Sequence, residues 1–158
     1  MSETSGWLRH AVATVAYRAE KSVRGAPAAF AAFRAGPTSR TPAQILAHMC
    51  DLFDWALSMA EGHERWAGSP VVAWDEVVAQ FFQKLALFDA YLAAGKPLAV
   101  SAERLFQGPI ADALTHVGQL TMLRRLAEAP VKGENYFKAD IAIGRVGIAQ
   151  PRPAREFD

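Results

Sequence analysis

A single cysteine, Cys50, stands in 158 residues, which excludes an internal disulfide framework and every CxxC-type zinc or redox motif. No apolar run approaches the roughly 18 residues a membrane helix requires. The opening MSETSGWLRH lacks a charged-then-apolar signal layout, so the expected address is cytoplasmic and no membrane partner is expected. An excess of one charge is missing as well. Lys and Arg number 17 against 16 Asp and Glu, for a formal net charge of +1. Without clustered Lys and Arg, neither a nucleic-acid footprint nor a polybasic membrane patch is expected. Glu-x-x-His pairs are absent, which argues against a carboxylate di-metal bundle. What is present is apolar: 51% hydrophobic against 21% charged, enough for a single domain over 1–158 with a real core.

The patterning is helical throughout. From about Gly6 to Arg24, Leu8, Val12, Val15 and Ala19 recur at helical spacing, with His10, Thr14, Tyr17 and Lys21 as a neighbouring polar stripe. That stripe is either a solvated face or, through His10 and Tyr17, the edge of a pocket. Gly25 to Arg40 is rich in Ala, Gly and Pro and reads as a loop with a short helical turn at AAFAAFR. Thr41-Pro42 with Gln44 has the spacing of a capping box with proline at the first helical position, and Gly62 is the stop. On this helix His48 shares a line with Ile45, Leu52, Trp55 and Met59, so it points inward. Gln44 and Asp51 flank it and would orient its imidazole, or Asp51 joins Asp54 and Ser58 at a polar edge. His63, Glu64 and Arg65 fall in a solvated connection. A third helix spans about Trp74 to Ala94, with Val77, Phe81, Leu85, Phe88 and Leu92 as a core stripe. Lys96 to Gly108 reads as a connection, and the segment from Gly133 onward as an irregular tail with a short helix near Asn135 to Ile143.

The remaining helix, PIADALTHVGQLTMLRRLAEAP, is bracketed by Pro109 and Pro130. Asp112 and His116 lie one turn apart on one face, so a carboxylate and an imidazole can reach one metal ion or one proton. Gln119, Leu120 and Leu123 share that largely apolar arc. Inward polar groups need a partner, and the alternatives are a metal or a simple hydrogen-bonded Asp–His pair. Ile110, Leu114 and Val117 on the opposite side add a second apolar face, which suggests a homodimer through this region. Four amphipathic segments of this kind give an all-α four-helix bundle.

His48 midway along TPAQILAHMCDLFDWAL, followed by THVGQLTMLRRLAEAP, resembles the DinB-like superfamily with its YfiT-type metal-dependent hydrolases and thiol transferases. The resemblance spans about 6–145, and its most specific part is His-Val-Gly-Gln-Leu against the family's His-x-Gly-Gln-Leu. It implies a four-helix bundle in which three histidines hold a divalent ion. His48 matches the first ligand and His116 the last. The middle position falls on Asp112, a departure that gives a two-histidine, one-carboxylate set and admits Zn²⁺, Ni²⁺, Fe²⁺ or Mn²⁺. Such a centre would activate water or a low-molecular-weight thiol for a small-molecule substrate, as in family members that isomerise or transfer with thiol cofactors. Arg124 and Arg125 are candidates to hold an anionic co-substrate, or are helix C-terminal charges. The competing expectation is a non-catalytic binding or interaction module with a degenerate metal site.

Overall fold

The helix ends are set by local chemistry that the computed structural model, which describes residues 3–157, displays directly. Helix α1 covers Glu3–Val23 and α2 covers Pro42–Glu61. Thr41 caps α2 with a reciprocal box: its Oγ1 accepts from the Gln44 N–H at 3.2 Å, and Gln44 Oε1 accepts from the Thr41 N–H at 2.9 Å. Two donors that the helix cannot satisfy itself are thereby paired. At the far end Gly62 turns left-handed, φ 83°, and its N–H reaches the last-turn carbonyls, a conformation costly to any residue with a Cβ.

Helix α3 covers Trp74–Ala93. The fourth rod is composite: α4 (Ala102–Leu105), a π-helical turn (Phe106–Ile110) and α5 (Ala111–Leu126). Helical structure thus begins at Ala102, within the stretch expected to be a connection, because Ser101 supplies an N-cap whose Oγ accepts from the Arg104 N–H. Pro109 sits inside this rod instead of opening it. It has no N–H to donate, and the wider π turn absorbs the broken ladder immediately before Asp112.

Helices α1 and α2 each pack against both α3 and α5, so the rods form a four-helix bundle. Leu8, Val12 and Val15 of α1 meet Leu46, Met49 and Phe53 of α2, Phe81, Leu85 and Phe88 of α3, and Ala113 and Leu120 of α5, all buried. The Phe53 ring lies 6.0 Å from Phe81 and 6.1 Å from Phe88, and each such side chain contributes about 1.5–3 kcal/mol by leaving water. On the second apolar face of the fourth rod Ile110 is 0% exposed and Val117 6%, while Leu114 is half-buried. No helix among the described residues is long and apolar enough to cross a membrane.

The tail is more ordered than its composition suggests. Gly133–Glu134 (β1) pairs antiparallel with Glu156–Phe157 (β2), and the expected short helix shrinks to a 3₁₀ turn at Tyr136–Lys138. The ribbon is anchored to α1. The Tyr17 hydroxyl donates to Glu134 at 2.6 Å, and Lys21 Nζ donates to both Glu134 and Glu156 at 2.9 Å. Tyr17 and Lys21 are consequently buried, while His10 alone keeps the exposed setting of a solvated stripe. A Cβ at Gly133 would fall 2.5 Å from the Phe157 ring, which lies across bare backbone.

Candidate metal centre

The π turn delivers Asp112 and His116 to the side of α5 that faces α2, where His48 projects from the middle of its helix. One ligand-capable atom from each of His48, Asp112 and His116 lies within 4.8 Å of the other two. His48 Nε2 stands 3.4 Å from Asp112 Oδ2, and the two imidazole centroids are 4.8 Å apart. Two donors on one tetrahedral ion, each at about 2.0–2.1 Å, sit about 3.3 Å from each other. The His48–Asp112 spacing matches that edge, and small side-chain rotations would draw in the longest pair.

The tautomer of His116 follows from its neighbour. Its Nδ1 lies 2.8 Å from the Asp112 backbone carbonyl, which only accepts, so Nδ1 carries a proton and Nε2 is the nitrogen that offers a lone pair in the neutral ring. A ligating histidine is oriented by just such a bond from its other nitrogen. His116 is buried, and His48 is half-buried with its side chain 22% exposed. Burial, then the neighbouring His116, pulls the His48 pKa below its ordinary value against the opposing pull of Asp112. The neutral imidazole is the form that binds a metal.

Several flanking residues differ from the sequence expectation. Gln44 spends its side chain on the α2 cap that its spacing placed there, and so does not orient the His48 imidazole. Asp51 is buried and accepts from the Ser69 N–H and hydroxyl, so it holds the connection after α2 instead of the imidazole. The same connection is strapped at two further points. The Arg65 N–H donates to Ser58 Oγ at 3.1 Å, and Trp55 Nε1 donates to Glu64 at 3.1 Å. Its backbone is solvated as expected, yet it places Trp66 with its ring 5.6 Å from His48 and 5.7 Å from Trp55. Trp66 is the site residue that periodicity missed; its only sequence signal was an aromatic in the polar run EGHERWAGSP.

Gln119, placed on the inward arc by its spacing, is exposed. It lines a 340 Å³ groove with Ile45, Met122, Leu123, Leu126 and Arg40, one turn along both helices from the three donors. Arg124 is not available to a ligand. Its guanidinium is buried and donates to the carbonyls of Ala129, Ser22 and Arg24, closing the end of α1. Cys50 is likewise unsuited to chemistry, because burial and then Asp51 push its thiol up to about 12. No protein-family model, curated protein or solved structure matches this chain.

Proposed function

We propose that the protein is a divalent-metal-dependent enzyme of the DinB-like kind, in which His48, Asp112 and His116 hold the ion and a small molecule is the substrate. One observation carries the proposal: three donors from two separate helices converge within 4.8 Å, and the one buried imidazole among them has its lone pair directed away from its backbone partner. Two imidazoles and one carboxylate suit Zn²⁺, Ni²⁺, Fe²⁺ or Mn²⁺ and leave coordination positions open. Such an ion supplies Lewis acidity and lowers the pKa of water or a thiol bound to it. Water corresponds to a hydrolase; a low-molecular-weight thiol corresponds to a transferase or isomerase.

The chain's own residues have distinct parts in this proposal. Asp112 offsets charge at the centre, and its carbonyl sets the His116 tautomer. Trp66, half exposed, sets an aromatic ring 5.6 Å from His48 at the edge of the site. The neighbouring groove offers an apolar bed with Arg40 at its rim, which suits a substrate with an apolar body and an acidic end.

Metal analysis of tag-free protein tests the proposal. About one equivalent of divalent ion is expected, with a thermal upshift on adding Zn²⁺ or Ni²⁺. Asp112→Ala and His116→Ala should each lower metal affinity at least tenfold while helical circular dichroism is unchanged. If the protein takes up no ion and shows no thermal shift, the three side chains are a hydrogen-bonded cluster and the bundle is a binding module with a degenerate site.

A further inference from the structure

On the opposite side of α5 from His116 lies a second cavity, of 390 Å³, between α1, α5 and the C-terminal ribbon. Its volume falls within the range of about 300–1,000 Å³ usual for small-ligand pockets. The charged residues lining it are Arg18, Arg125, Lys132 and Glu134. Glu134 is not available to neutralise the others, since its carboxylate already accepts from Tyr17 and Lys21. Lys21 is in turn balanced by Glu134 and Glu156 together. Two positive charges are therefore left over among these side chains.

Arg18 supplies the sharper sign. Its guanidinium is stacked 4.0 Å over the Tyr136 ring, and its Nε is buried without a hydrogen-bond partner. Native proteins rarely leave such a donor unpaired, because the lost hydration is not recovered. With Nε covered, an anion in the cavity would meet the planar guanidinium through its terminal Nη–H groups, and a modest rotation off the ring would also bring Nε–H to its oxygens. Tyr136 and Phe157 line the same space with Leu114 and Val117, offering apolar surface beside the cationic end.

We infer that this cavity binds a phosphate monoester, with the dianionic head on Arg18, Arg125 and Lys132 and the body against Leu114, Tyr136 and Phe157. The surplus of two charges selects the dianion over a carboxylate. This site is independent of the metal centre, and it stands whether or not that centre binds an ion.

Phenyl phosphate titrated into the full chain, before and after EDTA treatment, tests the inference by calorimetry and by amide NMR. Saturable binding at one equivalent is expected in both preparations, with shifts centred on Gly118, Thr121 and Gly133. Arg125→Gln and Lys132→Gln replace exposed side chains, so the fold is retained, and each should weaken binding about tenfold, with Arg18→Gln weaker still. Benzoate should bind at least tenfold less tightly than phenyl phosphate. The inference is overturned if no saturation occurs at millimolar ligand or if the Arg125→Gln/Lys132→Gln double variant binds equally well. It is also overturned if benzoate matches phenyl phosphate, or if the shifts centre on His48 and His116.

Discussion

Removing Glu134 should do more to this fold than removing any surface charge. Its side chain is 0% exposed and carries two bonds at once, from the Tyr17 hydroxyl at 2.6 Å and from Lys21 Nζ at 2.9 Å. In Glu134→Ala, Lys21, whose side chain is 8% exposed, keeps only Glu156, which is 37% exposed, and the Tyr17 hydroxyl loses its partner. Breaking a buried pair from one side costs about 3–5 kcal/mol. Glu156 retains part of the attraction, so a loss near the lower bound, about 3 kcal/mol, is expected. For a chain of this length that corresponds to a fall in Tm of about 6–12 °C. Urea denaturation followed by circular dichroism measures the loss. Hydrogen exchange adds a local readout at the Asn135 N–H, which bonds the Arg155 carbonyl across the ribbon. Glu134→Gln keeps the shape and one acceptor, and should lose about half as much. If Glu134→Ala lost less than about 1 kcal/mol with Asn135 still protected, the pair would be behaving like an exposed one, and the account of how the tail is anchored would fail.

Three other outcomes follow from the same contacts. Asp51→Ala removes the acceptor for Ser69 and should cost about 1.5–3 kcal/mol, with a red shift of tryptophan emission as Trp66 leaves His48; unchanged emission would show that other bonds hold the connection. Cys50, pushed up to about 12 by burial, should resist a thiol reagent at pH 8 in the native protein and react fully in urea, whereas prompt native labelling would contradict its placement. The ribbon anchor should also weaken at both pH extremes. The Lys21 hydrogen bond holds the Glu156 carboxyl below its ordinary 4.5, so its contribution is in place above pH 4.5 and lost as pH falls through the lowered value. Burial alone would depress the Lys21 ammonium, but hydrogen bonds to Glu156 and Glu134 outweigh it and hold the pKa above 10.5. That contribution is complete below pH 10.5 and is lost as pH rises through the raised value. Exchange at Asn135 that is flat from pH 3 to 12, after correction for intrinsic rates, would refute the linkage.

Much of this was legible from local pattern. The box of Thr41 and Gln44, the stop at Gly62 and the stripe from Val77 to Leu92 depend on residues within a few positions of each other, and each formed where its spacing placed it. The Asp112–His116 pair was legible for the same reason, since a helix brings positions four apart together. Periodicity misjudged Tyr17 and Lys21, which look like a solvated stripe until the ribbon, more than 100 residues later in the chain, covers them. It left the roles of Asp51 and Arg124 open, because a polar side chain can serve a ligand, a loop or a distant carbonyl equally well until its neighbours are known.

What the amino-acid sequence determined by itself was the set of helices and the faces they bury, because capping and amphipathic spacing act over one or two turns. Tertiary structure alone decided that His48 meets Asp112 across α2 and α5, that the Trp66 ring comes to lie beside it, and that Arg18, Arg125 and Lys132 gather on the far side of the same helix. Those meetings depend on how rods pack and where the tail returns, and long-range packing of that kind leaves no periodic mark in the chain.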